Sequence, residues 1–174
     1  MNEENRVIIL PGYSLKNKQW AQETAAALPP IFKVSIRHWP HWTRAAPATN
    51  WLDREVDKLQ KLYRNLPVDL IAKSIGSYIA VKLLQRNPGN FHRLLICGLP
   101  INDLSAEDKN HFSVLGSLPA EKVLVIQNET DNHGSFTQVK AFVQAINPHI
   151  DILSRPRNDH EYPYPEDFIR FLTS

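Results

Sequence analysis

The chain has 174 residues, 43% of them hydrophobic and 22% charged, enough for one sizeable buried core and ordinary for a globular protein. Lysine and arginine number 20 against 18 acids, a net charge near +2 with no basic run or stripe, which gives no reason to expect a nucleic-acid partner. Cys97 is the single cysteine, so no internal disulfide framework exists and a reducing, cytoplasmic setting is expected.

In chain order, the N-terminus MNEENRVIIL is acidic, and its apolar run is far too short for a signal peptide or a membrane span. Its RVIIL stretch (6–10) is a β-branched run stopped by Pro11-Gly12, the pattern of a buried strand. Residues 17–28 are alanine-rich helix material ending at Pro29-Pro30. FKVSI (32–36) reads as a second strand, followed by the loop RHWPHWTRAAPA. Residues 50–66 put Leu52, Val56, Leu59, Tyr63 and Leu66 on one helical face, with Asn50 as cap and Asp53 in the first turn.

VDLIA (68–72) is the third strand, and IGSYIAVKLLQR (75–86) is a helix apolar on nearly all sides, as a helix packed on a sheet must be. Strands follow at 91–97, 122–127 and 150–154, separated by a weaker helix near 105–115 and a helix at 135–146, with a closing helix at 165–172. Six strands alternating with helices predict an α/β fold: a three-layer α/β/α sandwich around a mostly parallel sheet of about six strands, in a single domain spanning 1–174. In such sheets ligands bind beyond the carboxyl ends of the strands, so the residues just after each strand carry the functional information.

Those residues include Ser74 after strand three, an acid in NETDNHGS (128–135) after strand five, and a histidine in RPRNDHEYPY (155–164) after strand six. The three types belong together chemically. A serine hydroxyl becomes nucleophilic when an imidazole takes its proton, and a carboxylate holds that imidazole in the right tautomer. The stretch IAKSIGS (71–77) resembles the nucleophile elbow of the α/β-hydrolase superfamily, small-x-Ser-x-Gly on a strand–turn–helix, here Ala72, Lys73, Ser74, Ile75 and Gly76.

That resemblance spans nearly the whole chain, with its motifs in the family's order. It implies a catalytic triad of Ser74, Asp131 and His160, and an oxyanion hole from the backbone amides of Tyr13, in ILPGYS, and Ile75. Ala72 stands where the family usually has the elbow's first glycine, Asn128 where a glycine precedes the acid, and Pro11 where many members have histidine. No connection has room for a lid domain, and the chain most resembles the small, cap-less serine hydrolases of the retinoblastoma-binding-protein-9-like kind.

Each assignment has competitors. Glu129 and Asp103 compete with Asp131, since some family members carry their acid after strand four. Asp159 reads as a solvated loop residue. His133, His38 and His41 compete with His160, although His133 would leave the strand-six loop without its histidine. HWPHW (38–42) lacks the nearby carboxylate or cysteine a metal site needs, so no metal is expected there; Trp39 and Trp42 either pack into the body or line an acyl pocket. Cys97 reads as a small buried hydrophobe. No phosphate-binding glycine loop is present and no cofactor is expected.

The expectation is therefore a serine hydrolase acting on a small carboxylic ester or thioester. A hydrolase-fold binding protein with little turnover, or an acyltransferase using the same triad, are the alternatives.

Overall fold

The structure, a computed structural model, describes residues 5–43 and 47–174. The acidic residues 1–4 and residues 44–46 of the loop after the second strand lie outside the described residues.

Six strands form one sheet: β1 (Asn5–Leu10), β2 (Phe32–Ile36), β3 (Val68–Lys73), β4 (Phe91–Cys97), β5 (Val123–Asn128) and β6 (Asp151–Arg155). Their order is β2-β1-β3-β4-β5-β6, and every neighbouring pair is parallel. The sequence reading of "mostly parallel" thus becomes wholly parallel. The chain reverses its direction of winding between β1 and β3, so the crevice at the carboxyl ends of these two strands is the place a parallel sheet offers to a ligand.

Among the described residues six α-helices cover the sheet: α1 (Asn17–Ala27), α2 (Trp51–Tyr63), α3 (Ile75–Arg86), the short α4 (Ala106–Asn110), α5 (Phe136–Ile146) and α6 (Pro165–Leu172). Strand residues alternate between two cores because successive side chains leave opposite faces. Ile8, Leu10, Leu70, Ala72, Ile96 and Val125 pack with α2, α3 and α5. Val7, Ile9, Ile71, Leu95 and Ile126 pack with α1 and α6 through Trp20, Phe168 and Leu172. The buried α3 residues Ile79, Val81 and Leu84 each contribute about 1.5–3 kcal/mol to the first core.

Three local expectations change. Asn50 stands before α2 but its side chain makes no capping bond, because its backbone (φ −110°, ψ 29°) is outside the extended region a capping residue needs. The segment near 105–115 is α-helical only to Asn110, then tightens into a 3₁₀ stretch over His111–Ser117. Phe112 and Leu115, three apart, are both fully buried there, a spacing that a three-residue turn aligns on one side. Ser135 caps α5 rather than opening it, its hydroxyl accepting from the Gln138 amide while the Gln138 side chain accepts from the Ser135 amide.

No helix among the described residues is long and apolar enough to cross a membrane.

Candidate active site

The joint between β3 and α3 has a strained backbone. Ser74 sits at φ 55°, ψ −123°, the only non-glycine residue with positive φ among the described residues. That conformation costs about 1–3 kcal/mol and persists only where the surroundings impose it. Here the Ser74 amide donates to the Cys97 carbonyl at 3.1 Å. The Ser74 carbonyl accepts twice from Ser77, from its amide at 2.9 Å and its hydroxyl at 2.6 Å.

Beside it, Gly76 leaves room for β1: a Cβ there would lie 2.1 Å from the Leu10 carbonyl oxygen and 2.9 Å from that of Pro11. Only a residue without a side chain lets α3 approach the end of β1 this closely. The approach also sets the Pro11 carbonyl beside the first turn of α3, where backbone N–H groups have no intrahelical partners.

The acid comes from the loop after β5. The Asp131 side chain is fully buried and accepts three hydrogen bonds: Nδ1 of His160 at 2.6 Å and the Tyr162 hydroxyl at 2.6 Å on Oδ2, and the His133 amide at 2.8 Å on Oδ1. Burial alone would raise its pKa. The hydrogen bonds from His160 and Tyr162, with the attraction of His160 and the His133 amide, outweigh it and hold the carboxyl below its usual range. The opposite push acts on Tyr162, whose burial raises its phenol well above the ordinary value and keeps it a neutral donor.

His160 therefore has its Nδ1 committed to Asp131. Its Nε2 is buried and has no hydrogen-bond partner among the described residues. The ring lies against the strand-four turn, with Cε1 3.0 Å from where a Cβ of Gly98 would be, and Gly98 itself has φ +64°. The Ser74 amide is bonded to Cys97, the neighbour of Gly98, so the serine backbone and the imidazole both border the carboxyl end of β4.

Asp103 and His133, the sequence-level competitors, pair with each other instead, at 2.5 Å between Oδ2 and Nδ1. The His133 ring packs on His160 with centroids 4.3 Å apart. Glu129 faces Ser154 and Asp159 pairs with Arg157, neither bonded to His160. Cys97 is fully buried and its thiol is pushed up to about 12 by that burial.

The tryptophans divide. Trp39 is 1% exposed and belongs to the core; its indole N–H is shared between the carbonyls of Pro11 at 3.2 Å and Gly12 at 3.0 Å. The Gly12 carbonyl and the Tyr13 amide form one planar peptide and point in opposite directions, so this bond orients the amide assigned to the oxyanion. Trp42, partly buried, donates to the Tyr13 carbonyl at 2.9 Å, and His41 Nε2 meets the same oxygen at 2.7 Å. Tyr13 itself is 48% exposed and stacks on His41 at 4.3 Å. His41 is thus tied to backbone and aromatic rings, and no cluster of three or more His, Cys, Asp or Glu side chains suited to a metal occurs among the described residues.

Sequence reasoning gave no role to Ser77, Tyr162 or Asn128. Asn128 is fully buried; its side-chain amide donates to the carbonyls of Asp159 and Glu161, both at 2.8 Å, one on each side of His160. Its side-chain oxygen accepts from the Tyr164 hydroxyl at 2.6 Å. The available signal was the departure itself, an amide where the family has glycine, together with two tyrosines just after the histidine.

No family model matches the chain, and no curated protein matches it in sequence. Solved structures do match. An N-formylmaleamic acid deformylase from Pseudomonas putida is similar with a TM-score of 0.69 and 13% identity, over 98% of this chain and 92% of that one. An α/β serine hydrolase without a lid from Xanthomonas campestris gives 0.68 and 15%, over 98% and 80%. An α/β serine hydrolase homologue from Coxiella burnetii gives 0.69 and 17%, over 99% and 85%. At such identities the likeness speaks to the fold alone. With a wholly parallel six-stranded sheet, helices on both faces and no inserted domain in any connection among the described residues, the chain has a minimal α/β-hydrolase fold.

Proposed function

We propose that the protein is a serine hydrolase that cleaves a small carboxylic ester or thioester through an acyl-enzyme on Ser74, and works in the cytoplasm. The observation that carries the reading is the strained elbow at Ser74 together with a partly buried imidazole, His160, whose Nδ1 is held by an ionised carboxylate.

In the first half-reaction the Ser74 hydroxyl oxygen attacks the carbonyl carbon while His160 Nε2 takes the hydroxyl proton. The resulting oxyanion is held by the amides of Tyr13 and Ile75. As the tetrahedral intermediate collapses, His160 gives its proton to the leaving alkoxide or thiolate. In the second half-reaction water gives a proton to His160 and its oxygen attacks the acyl carbon, and Ser74 leaves with that proton returned. Asp131 keeps the imidazole in the tautomer that exposes a lone pair on Nε2 and stabilises the imidazolium. The similar structures named as serine hydrolases agree with this chemistry, as does the retinoblastoma-binding-protein-9-like, cap-less pattern of the motifs.

The test is intact mass after exposure to a fluorophosphonate probe, on the native chain and on Ser74→Ala. One adduct on the native chain, lost in the variant, is expected. A second reading, a hydrolase-fold binding protein with little turnover, draws on one observation: His160 Nε2 makes no hydrogen bond to Ser74 or any other described residue. A folded native chain that takes no adduct would favour it.

A further inference from the structure

Among the buried ionisable side chains outside that chemistry, one adjoins the proposed nucleophile. Lys73 is the last residue of β3 and the one before the nucleophile, and it is 2% exposed. Its side chain leaves the sheet on the α1/α6 side, with Nζ 5.3 Å from the centroid of the Trp20 ring and 3.3 Å from Oε2 of Glu161. Glu161 is the residue after His160, and its side chain is 54% exposed.

Burying an ammonium costs several kcal/mol unless its partners are well placed. The strand could bury methionine or leucine here without that cost. What the lysine adds is a connection. The histidine loop is tied to β5 by the two Asn128 bonds, and to α1 by the Trp20 indole, which donates to the Tyr162 carbonyl at 2.8 Å. Of these ties, only the Lys73–Glu161 pair reaches the strand that carries Ser74. It joins the chain neighbour of the nucleophile to the chain neighbour of the base.

We infer that Lys73 is a positioning residue, whose ion pair with Glu161 sets the separation between Ser74 and His160 and thereby the reactivity of the serine. The inference rests on the hydrolase reading of Ser74. The competing account is a lysine whose hydrocarbon stem covers apolar surface while its charge escapes to the rim. Methionine at the same place would serve that role equally well, so the two accounts separate experimentally.

Lys73→Met keeps the stem and strands no charge, because Glu161 stays in water; its Tm is expected to hold or rise. Glu161→Gln leaves the buried ammonium without a carboxylate, and its Tm is expected to fall. Both are expected to slow fluorophosphonate labelling of Ser74 by at least about tenfold, the scale on which small displacements of reacting groups act. Both should also lower kcat for p-nitrophenyl acetate with KM unchanged. The downfield proton resonance of His160 Nδ1, identified by its loss in His160→Gln, is expected to shift or broaden in each.

The inference is overturned if the folded variants label at the native rate with that resonance unmoved; should Lys73→Met not fold, Glu161→Gln alone decides. If the native chain takes no adduct, the hydrolase reading fails by itself, and the resonance still reports whether Lys73 and Glu161 place His160.

Discussion

Asp131 shows how much a single carboxylate is asked to do. It accepts from an imidazole and a phenol of the loop after β6 and from a backbone amide of its own loop, and hydrogen bonds to an ionised group are worth about 1.5–3 kcal/mol each. Asp131→Asn supplies an amide where Nδ1 of His160 needs an acceptor, which favours the wrong tautomer. Ester turnover is expected to fall by about 10⁴, measured as kcat/KM on a chromogenic ester with folding checked by circular dichroism. Tyr162→Phe leaves the carboxylate and the histidine in contact and removes one donor. A smaller loss, on the order of tenfold, is expected in the same assay. If the two variants lost activity equally, the hydroxyl would be as essential as the carboxylate and the roles drawn here would be wrong.

At the scale of elements, the elbow depends on close approach between the end of β1 and the start of α3. The Cβ of an alanine at position 76 would stand 2.1 Å from a backbone carbonyl oxygen, and backbone cannot swing away as a side chain can. Gly76→Ala is expected to lower stability by about 3 kcal/mol or more, read from urea unfolding with the slope compared to native. A loss below about 1 kcal/mol would mean that α3 shifts freely on the sheet. Ala72, two residues before Ser74, is fully buried among the residues of the α2/α3/α5 core, where its methyl packs. At Asn128, one of the three departures from the resembled pattern, the side-chain amide holds the histidine loop on both sides of His160.

For the whole molecule, two buried acids act in opposite directions as pH falls. The Asp131 value in the fold lies below its ordinary 3.8, so its contribution is complete above that pH and is lost as pH drops through the lowered value. Asp69 is raised above 3.8 by burial, against the weaker pull of Arg93 and His92. Ionising it costs stability, and that cost is relieved on the acid side. In thermal melts from about pH 6 to about pH 3, Asp131→Asn is therefore expected to flatten the acid loss, and Asp69→Asn to raise Tm mainly at the upper end. Melting curves that stay parallel to native across this range would contradict the assignment.

The sequence alone determined the alternation of strands and helices, because hydrophobic period and the Pro and Gly stops are local. RVIIL, VDLIA and FHRLLIC read as strands, and the strand ends offered Ser74, a choice of acids and His160 on one edge of the sheet. What it left open were matters of distance between segments far apart in the chain. Asp131 and Asp103 are equally acidic in sequence, and only the packed loops put one against His160 and the other against His133. Trp39 could be core or pocket until the turn after β1 folded over it and took up its N–H. Lys73 looked like an ordinary elbow residue. Its burial, and its partner 88 residues further along the chain, exist only once β3 and the histidine loop are side by side. A sequence carries the pattern of each element, but a hydrogen bond or an ion pair between loops depends on three-dimensional separation, which no local period encodes.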